Sequence, residues 1–173
     1  RQPLILIALG LSVGFKANVW NIGAEGQYIM GAIFGASFAL SLYPLESIVI
    51  FPAMILIGVI GGCLWSMIPA FLKVKFQVNE ILVSLMLVYV AEQILALASL
   101  GFLRNPDGAG FPGSRNLNQY TSASNAEIIA GTGIHLGVLL SLLMVVFFYV
   151  LLFRHSLGSV SYTHLRAHET RSD

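Results

Sequence analysis

Long apolar runs almost free of charge constrain this chain more than any other feature. Five are present, over residues 3–15, 25–42, 48–72, 79–103 and 134–153. A helix that crosses a bilayer needs about 20 predominantly apolar residues, because the hydrocarbon offers no water to satisfy an open backbone. Four of the runs reach or approach that length, and the first does not. Only 10% of the residues are charged, against about 25% in soluble domains. The expected fold class is therefore all-α, a polytopic transmembrane helical bundle with about four full spans plus one partial or broken helix.

The same composition closes off several function classes. Net charge is +1, and the nine basic residues are scattered without forming a patch, so no nucleic-acid partner is expected. Cys63 is the single cysteine, which excludes a disulfide or metal framework. No Ser/His pair, paired carboxylates or histidine cluster lies within the apolar runs, so the chain does not read as an enzyme. It also lacks a Gly-x-x-x-x-Gly-Lys-Ser/Thr phosphate loop, and neither a cofactor nor a metal is expected in it. Arg1 leads at once into an apolar run without an initiator methionine, so an internal piece of a longer protein is expected.

Basic residues in short loops favour the cytoplasmic side. Lys73 and Lys75 put the turn at residues 73–78 inside, and Arg154 does the same for the end of the fifth run. Alternation then leaves Lys16 inside and makes the polar connection 104–133 external, against which Arg104 and Arg115 are minor dissent. Gly10 with Gly14, Gly31 with Gly35, and Gly58 with Gly62 have the small-xxx-small spacing that lets membrane helices approach closely.

One polar insertion interrupts this pattern. Asn21-Ile22-Gly23-Ala24-Glu25-Gly26-Gln27 joins the short first run to the second. An ionisable side chain at membrane depth is costly and marks a candidate site, although Glu25 near a helix start also suits the helix dipole. Asn21, Glu25 and Gln27 are candidates to line a translocation pathway, with Gly23 and Gly26 allowing unusual backbone angles or close approach. Glu92, with Gln93 beside it, sits midway along the fourth run, either bonded to neighbouring helices or lining the same path. Asn79 is suited to cap the fourth helix and Glu80 to its first turn. Trp20, Trp65 and Tyr89 serve equally as packing groups, interface anchors or stacking surfaces, and His135 reads as interfacial trim.

The stretch Phe15-Lys16-Ala17-Asn18-Val19-Trp20 followed by Asn21 to Gln27 resembles permease subunits of bacterial ABC importers for simple sugars and nucleosides, in the branched-chain amino acid/ribose-type permease superfamily. Their Asn-Ile-Gly-x-Glu-Gly-Gln motif is matched without a gap. The resemblance continues through Pro69-Ala70-Phe71-Leu72-Lys73 to Asn79-Glu80, and Phe111-Pro112-Gly113-Ser114 is similar to a segment of nucleoside-type members. It spans residues 4–158. It implies a multi-pass protein of the bacterial cytoplasmic membrane that pairs with a second permease subunit. Further implied partners are ABC ATPase subunits that use the ATP and an extracytoplasmic substrate-binding protein. In the family the coupling segment that docks on the ATPase follows a stretch like Phe153-Arg154-His155-Ser156-Leu157-Gly158; the expectation is that the tail replaces it here and that this polypeptide does not transport on its own. The competing class is an ion-coupled secondary transporter with a broken helix at residues 21–27, to which Glu25 and Glu92 would suit proton or sodium coupling.

Residues 160–173 are unlike everything before them. Val160-Ser161-Tyr162-Thr163-His164-Leu165-Arg166-Ala167-His168-Glu169-Thr170 resembles the translation, in one frame, of a transposase mosaic-end sequencing adapter. The expected organisation is a partial permease domain over 1–159 and a non-native tail over 160–173. His164, His168 and Glu169 are accordingly not read as a metal site.

Overall fold

The computed structural model describes residues 2–16, 20–109, 111–125, 127–129 and 134–153. Each apolar run is helical: α1 (Gln2–Lys16), α2 (Ala24–Ser41), α3 (Ile50–Phe76), α4 (Glu80–Leu100) and α5 (Leu136–Phe153). Between α4 and α5 come a 3-10 turn (Leu117–Gln119) and two short strands, β1 (Glu127–Ile129) and β2 (Ile134–His135), paired antiparallel with Glu127 opposite His135. This small ladder at the entrance to α5 is an addition to the all-α expectation. Arg154, residues 17–19 and the tail 160–173 lie outside the described residues.

The coarser part of the expected fold holds: this is a helical membrane protein. The count of spans does not. Among the described residues only α3 and α4 are long and apolar enough to cross a bilayer. In α2, an 18-residue helix, Glu25 and Gln27 occupy the first turn and dilute the apolar run. The apolar part of α5, Leu136–Val150, falls short of the same length. Outward apolar side chains on α3 and α4, including Leu56, Leu64, Met86 and Leu97, are exposed, as lipid-facing positions must be.

The turn expected at residues 73–78 is shorter than anticipated. Helix α3 runs on through Lys73 and Lys75 to Phe76, because cations in a last turn complement the dipole. Gln77 stops it in the left-handed region at φ 54, its N–H donating to the Lys73 carbonyl at 3.0 Å. On the other side of the turn the Asn79 side chain accepts from Ile81 N–H at 3.0 Å and caps α4. That is the role its residue type predicts.

The chain divides into two compact units. In one, α1 packs against α5, and β1 and β2 belong to it. The other, Asn21–Asn125, contains α2, α3 and α4. Its packing is set by glycine. A Cβ on Gly31 would come within 2.9 Å of the Gly58 carbonyl, one on Gly35 within 3.1 Å of Met54 O, and one on Gly62 within 3.2 Å of Gln27 O. Helices α2 and α3 therefore cross backbone to backbone and run antiparallel. Gly23 lies against Ser84 and Gly26 against Val88, so α2 and α4 run parallel. Two of the three glycine pairs thus make the close approach expected of them, whereas a Cβ on Gly10 would meet nothing within 4 Å.

Two clusters fill this unit. Met30, Ile33, Ala91, Ala98 and Leu103 form the larger. Ala39, Ile50, Tyr120 and Ala123 form the other, at the end where α2 turns into α3. There the segment after α4 folds back. The Tyr120 hydroxyl donates to the Leu45 carbonyl, Ser47 N–H donates to Ser122 Oγ at 3.0 Å, and Tyr43 meets Tyr120 edge-on at 5.3 Å. Arg115 lies over the Tyr43 ring at 4.4 Å and pairs with Asp107 at 2.8 Å.

Candidate functional site

The polar insertion builds the start of α2. Asn21 Oδ1 accepts from Gly23 N–H at 2.9 Å, a local turn of the kind asparagine favours, and the Gly23 carbonyl then accepts from Gln27 N–H at 3.2 Å. Gly23 is the residue before α2 and is buried. A Cβ there would stand 2.9 Å from both the Cβ and the carbonyl of Ser84, so glycine is required by proximity. Its φ of −86° is ordinary, which removes unusual backbone angle as the explanation. Gly26 is the second close approach. A Cβ on it would meet Val88 Cα at 3.1 Å, and Leu87 O and Trp65 Nε1 each at 3.3 Å.

Because α2 and α4 run parallel, the two motifs singled out in the sequence lie at one end of the unit. Ser84, which touches Gly23, is one turn after Glu80. Glu80 is mostly buried and forms a close ion pair with Lys73, half exposed in the last turn of α3. Asn79, Glu80, Lys73, Asn21 and Gly23 thus surround the end at which α3 stops and both α2 and α4 begin. Lys75 stays beside the rings of Phe71 and Phe76, at 5.5 and 6.0 Å.

The carboxylates stand apart from this cluster. Glu25 is exposed in the first turn of α2, on the face that also exposes Tyr28 and Ala32. Gln27 is half-buried, with its backbone carbonyl against Gly62. Glu92 and Gln93 are both exposed, so the expectation that they bond to neighbouring helices is not met among the described residues. The reason is helical phase: Ser84, Val88, Ala91 and Ala98 form the buried stripe of α4, and Glu92 flanks it. Gly26 sits at the level of Val88, which places Glu92, four residues on, about 6 Å farther along the helix. Trp20 and Tyr89 are exposed, in keeping with interface or lipid contact.

Two residues of the cluster carried little sequence signal. Ser84 is one serine in an apolar run, and only its place in the small-residue stripe with Ala91 and Ala98 sets it apart. Trp65 was one of three ambiguous aromatics, and its proximity to Gly26 depends on how α2 crosses α3.

Comparison with known proteins draws on nearly the whole chain. The model of the branched-chain amino acid transport system / permease component family matches residues 2–163. A glucose ABC transporter permease protein of Haloferax volcanii is 33% identical over 167 residues, 90% of this chain and 43% of that protein. A nucleoside ABC transporter permease protein of Lactococcus lactis subsp. cremoris is 34% identical over 88 residues, 51% of this chain and 24% of its own length. A guanosine ABC transporter permease protein of Bacillus subtilis is 32% identical over 89 residues, 51% of this chain and 25% of its own. The chain therefore spans less than half the length of these curated relatives. No solved structure matches it. A family model that matches residues 2–163, with relatives named as permeases of sugar and nucleoside ABC transporters, shows that this chain belongs to the branched-chain amino acid transport system / permease component family.

Proposed function

We propose that this chain is part of the membrane-spanning permease of an ATP-driven importer for nucleosides or simple sugars, in a bacterial cytoplasmic membrane. Family membership carries the reading, supported by relatives named for glucose, nucleoside and guanosine transport. Its partners would be a second permease subunit, ABC ATPase subunits that bind and hydrolyse the ATP, and an extracytoplasmic protein that delivers the solute. The permease makes and breaks no bonds. It works by alternating access, the helices shifting so that a central path opens to one face and then the other.

Asn21, Glu25, Gln27 and Glu92 are proposed to line that path. The supporting observation is the exposure of Glu25 and Glu92, neither with an ion pair or hydrogen bond among the described residues. Carboxylates on membrane helices are costly against lipid and stable beside water or polar solute. Gly23, Gly26, Asn79 and Glu80 hold the frame from which these side chains project.

The test is uptake of labelled nucleoside and labelled glucose by the full-length permease, produced with its ATPase and binding protein. Glu25→Gln should lower uptake about tenfold, the worth of one charge-assisted hydrogen bond, with membrane insertion unchanged. Equal uptake by variant and parent would reduce Glu25 to a helix-start charge.

A further inference from the structure

Trp65 occupies the point where the three helices of the Asn21–Asn125 unit converge. Its indole packs beside the cluster of Met30, Ile33 and Ala91, and Nε1 lies 3.3 Å from where a Cβ on Gly26 would stand. That nitrogen is shut off from solvent and has no acceptor among the described residues. Pro69 follows four residues later inside α3. Proline has no N–H, so the Trp65 carbonyl cannot receive the bond that would continue the helical ladder. One residue therefore presents an unpaired donor against the glycine of the polar insertion, in a helix whose ladder is interrupted one turn later.

A buried unpaired donor destabilises the state that contains it, and phenylalanine would fill most of the same space without one. The indole N–H is best accounted for by a second state in which it is paired. Among the described residues, Gly26 lies against that nitrogen. We infer that Trp65 is a solute-binding residue. When α2 separates from α3 at Gly26, the indole N–H donates to a hydroxyl, carbonyl or ring-nitrogen acceptor of a polyhydroxylated solute. The inference rests on the permease reading and adds to it a hydrogen-bonding subsite for the solute, outside the Asn21–Gln27 stretch.

Trp65→Phe in the full-length permease with its ATPase and binding protein tests it. Expected is a KM for uptake raised about tenfold, the loss of one hydrogen bond, with membrane insertion unchanged. Among deoxy and deaza analogues of the transported solute, one should show the same KM in parent and variant, because it lacks the atom that Trp65 contacts. An unchanged KM for Trp65→Phe overturns the inference. So does a set of analogues that all keep the difference. A parent protein that carries neither sugars nor nucleosides refutes the transport reading itself, a distinct result.

Discussion

Gly31, Gly58 and Gly62 show how much of this fold depends on the absence of a side chain. At each, a Cβ would meet backbone atoms of the facing helix, between 2.9 and 3.2 Å away, and backbone cannot swing aside as a side-chain tip can. Gly31→Val should therefore lower stability by about 1–3 kcal/mol, the usual cost of overpacking, measured as a shift in the denaturation midpoint in detergent. Gly10→Ala is the matched control, with nothing within 4 Å, and should be neutral or slightly stabilising through helix propensity. The spacing of the glycines was visible in the sequence and identical for all three pairs. Which pairs meet a partner was not, because that depends on the helix opposite. Trp65 and Ser84 were obscure for the same reason: their importance lies in what faces them.

Individual helices were more legible than their ends. Five apolar runs became five helices, and the Asn79 cap is where its residue type puts it. Asn79→Ala should cost about 1 kcal/mol of stability, and Asn79→Ser should recover most of it. The C-terminal boundary of α3 was misjudged since Lys73 and Lys75 read as loop residues, although a helix end attracts them, and the left-handed stop falls on Gln77 without a glycine to announce it. Lys73 and Glu80 then tie the two helices across the turn. A double-mutant cycle with Lys73→Ala and Glu80→Ala should give a coupling below about 1 kcal/mol that shrinks as salt is raised, because the lysine is half exposed. The β1–β2 ladder carried no readable signal, being two strands too short for any alternation to show.

For the molecule as a whole, the lysine expectation for the turn after α3 predicts one orientation, which labelling can test. With Cys63 replaced by alanine, a cysteine at Gln77 should react with a membrane-impermeant maleimide only from the cytoplasmic side. One at Ser114 should react only from outside, and labelling intact and opened cells distinguishes the two. Substrate choice was beyond the reach of pattern, since relatives of nearly equal identity are named for glucose, nucleoside and guanosine transport. The refolded segment that holds Tyr120 to Leu45 and Ser122 to Ser47 has a mechanical effect on this unit. It ties the loop between α2 and α3 to the segment after α4, so this end of the unit is closed by a chain crossing as well as by the packing of its helices.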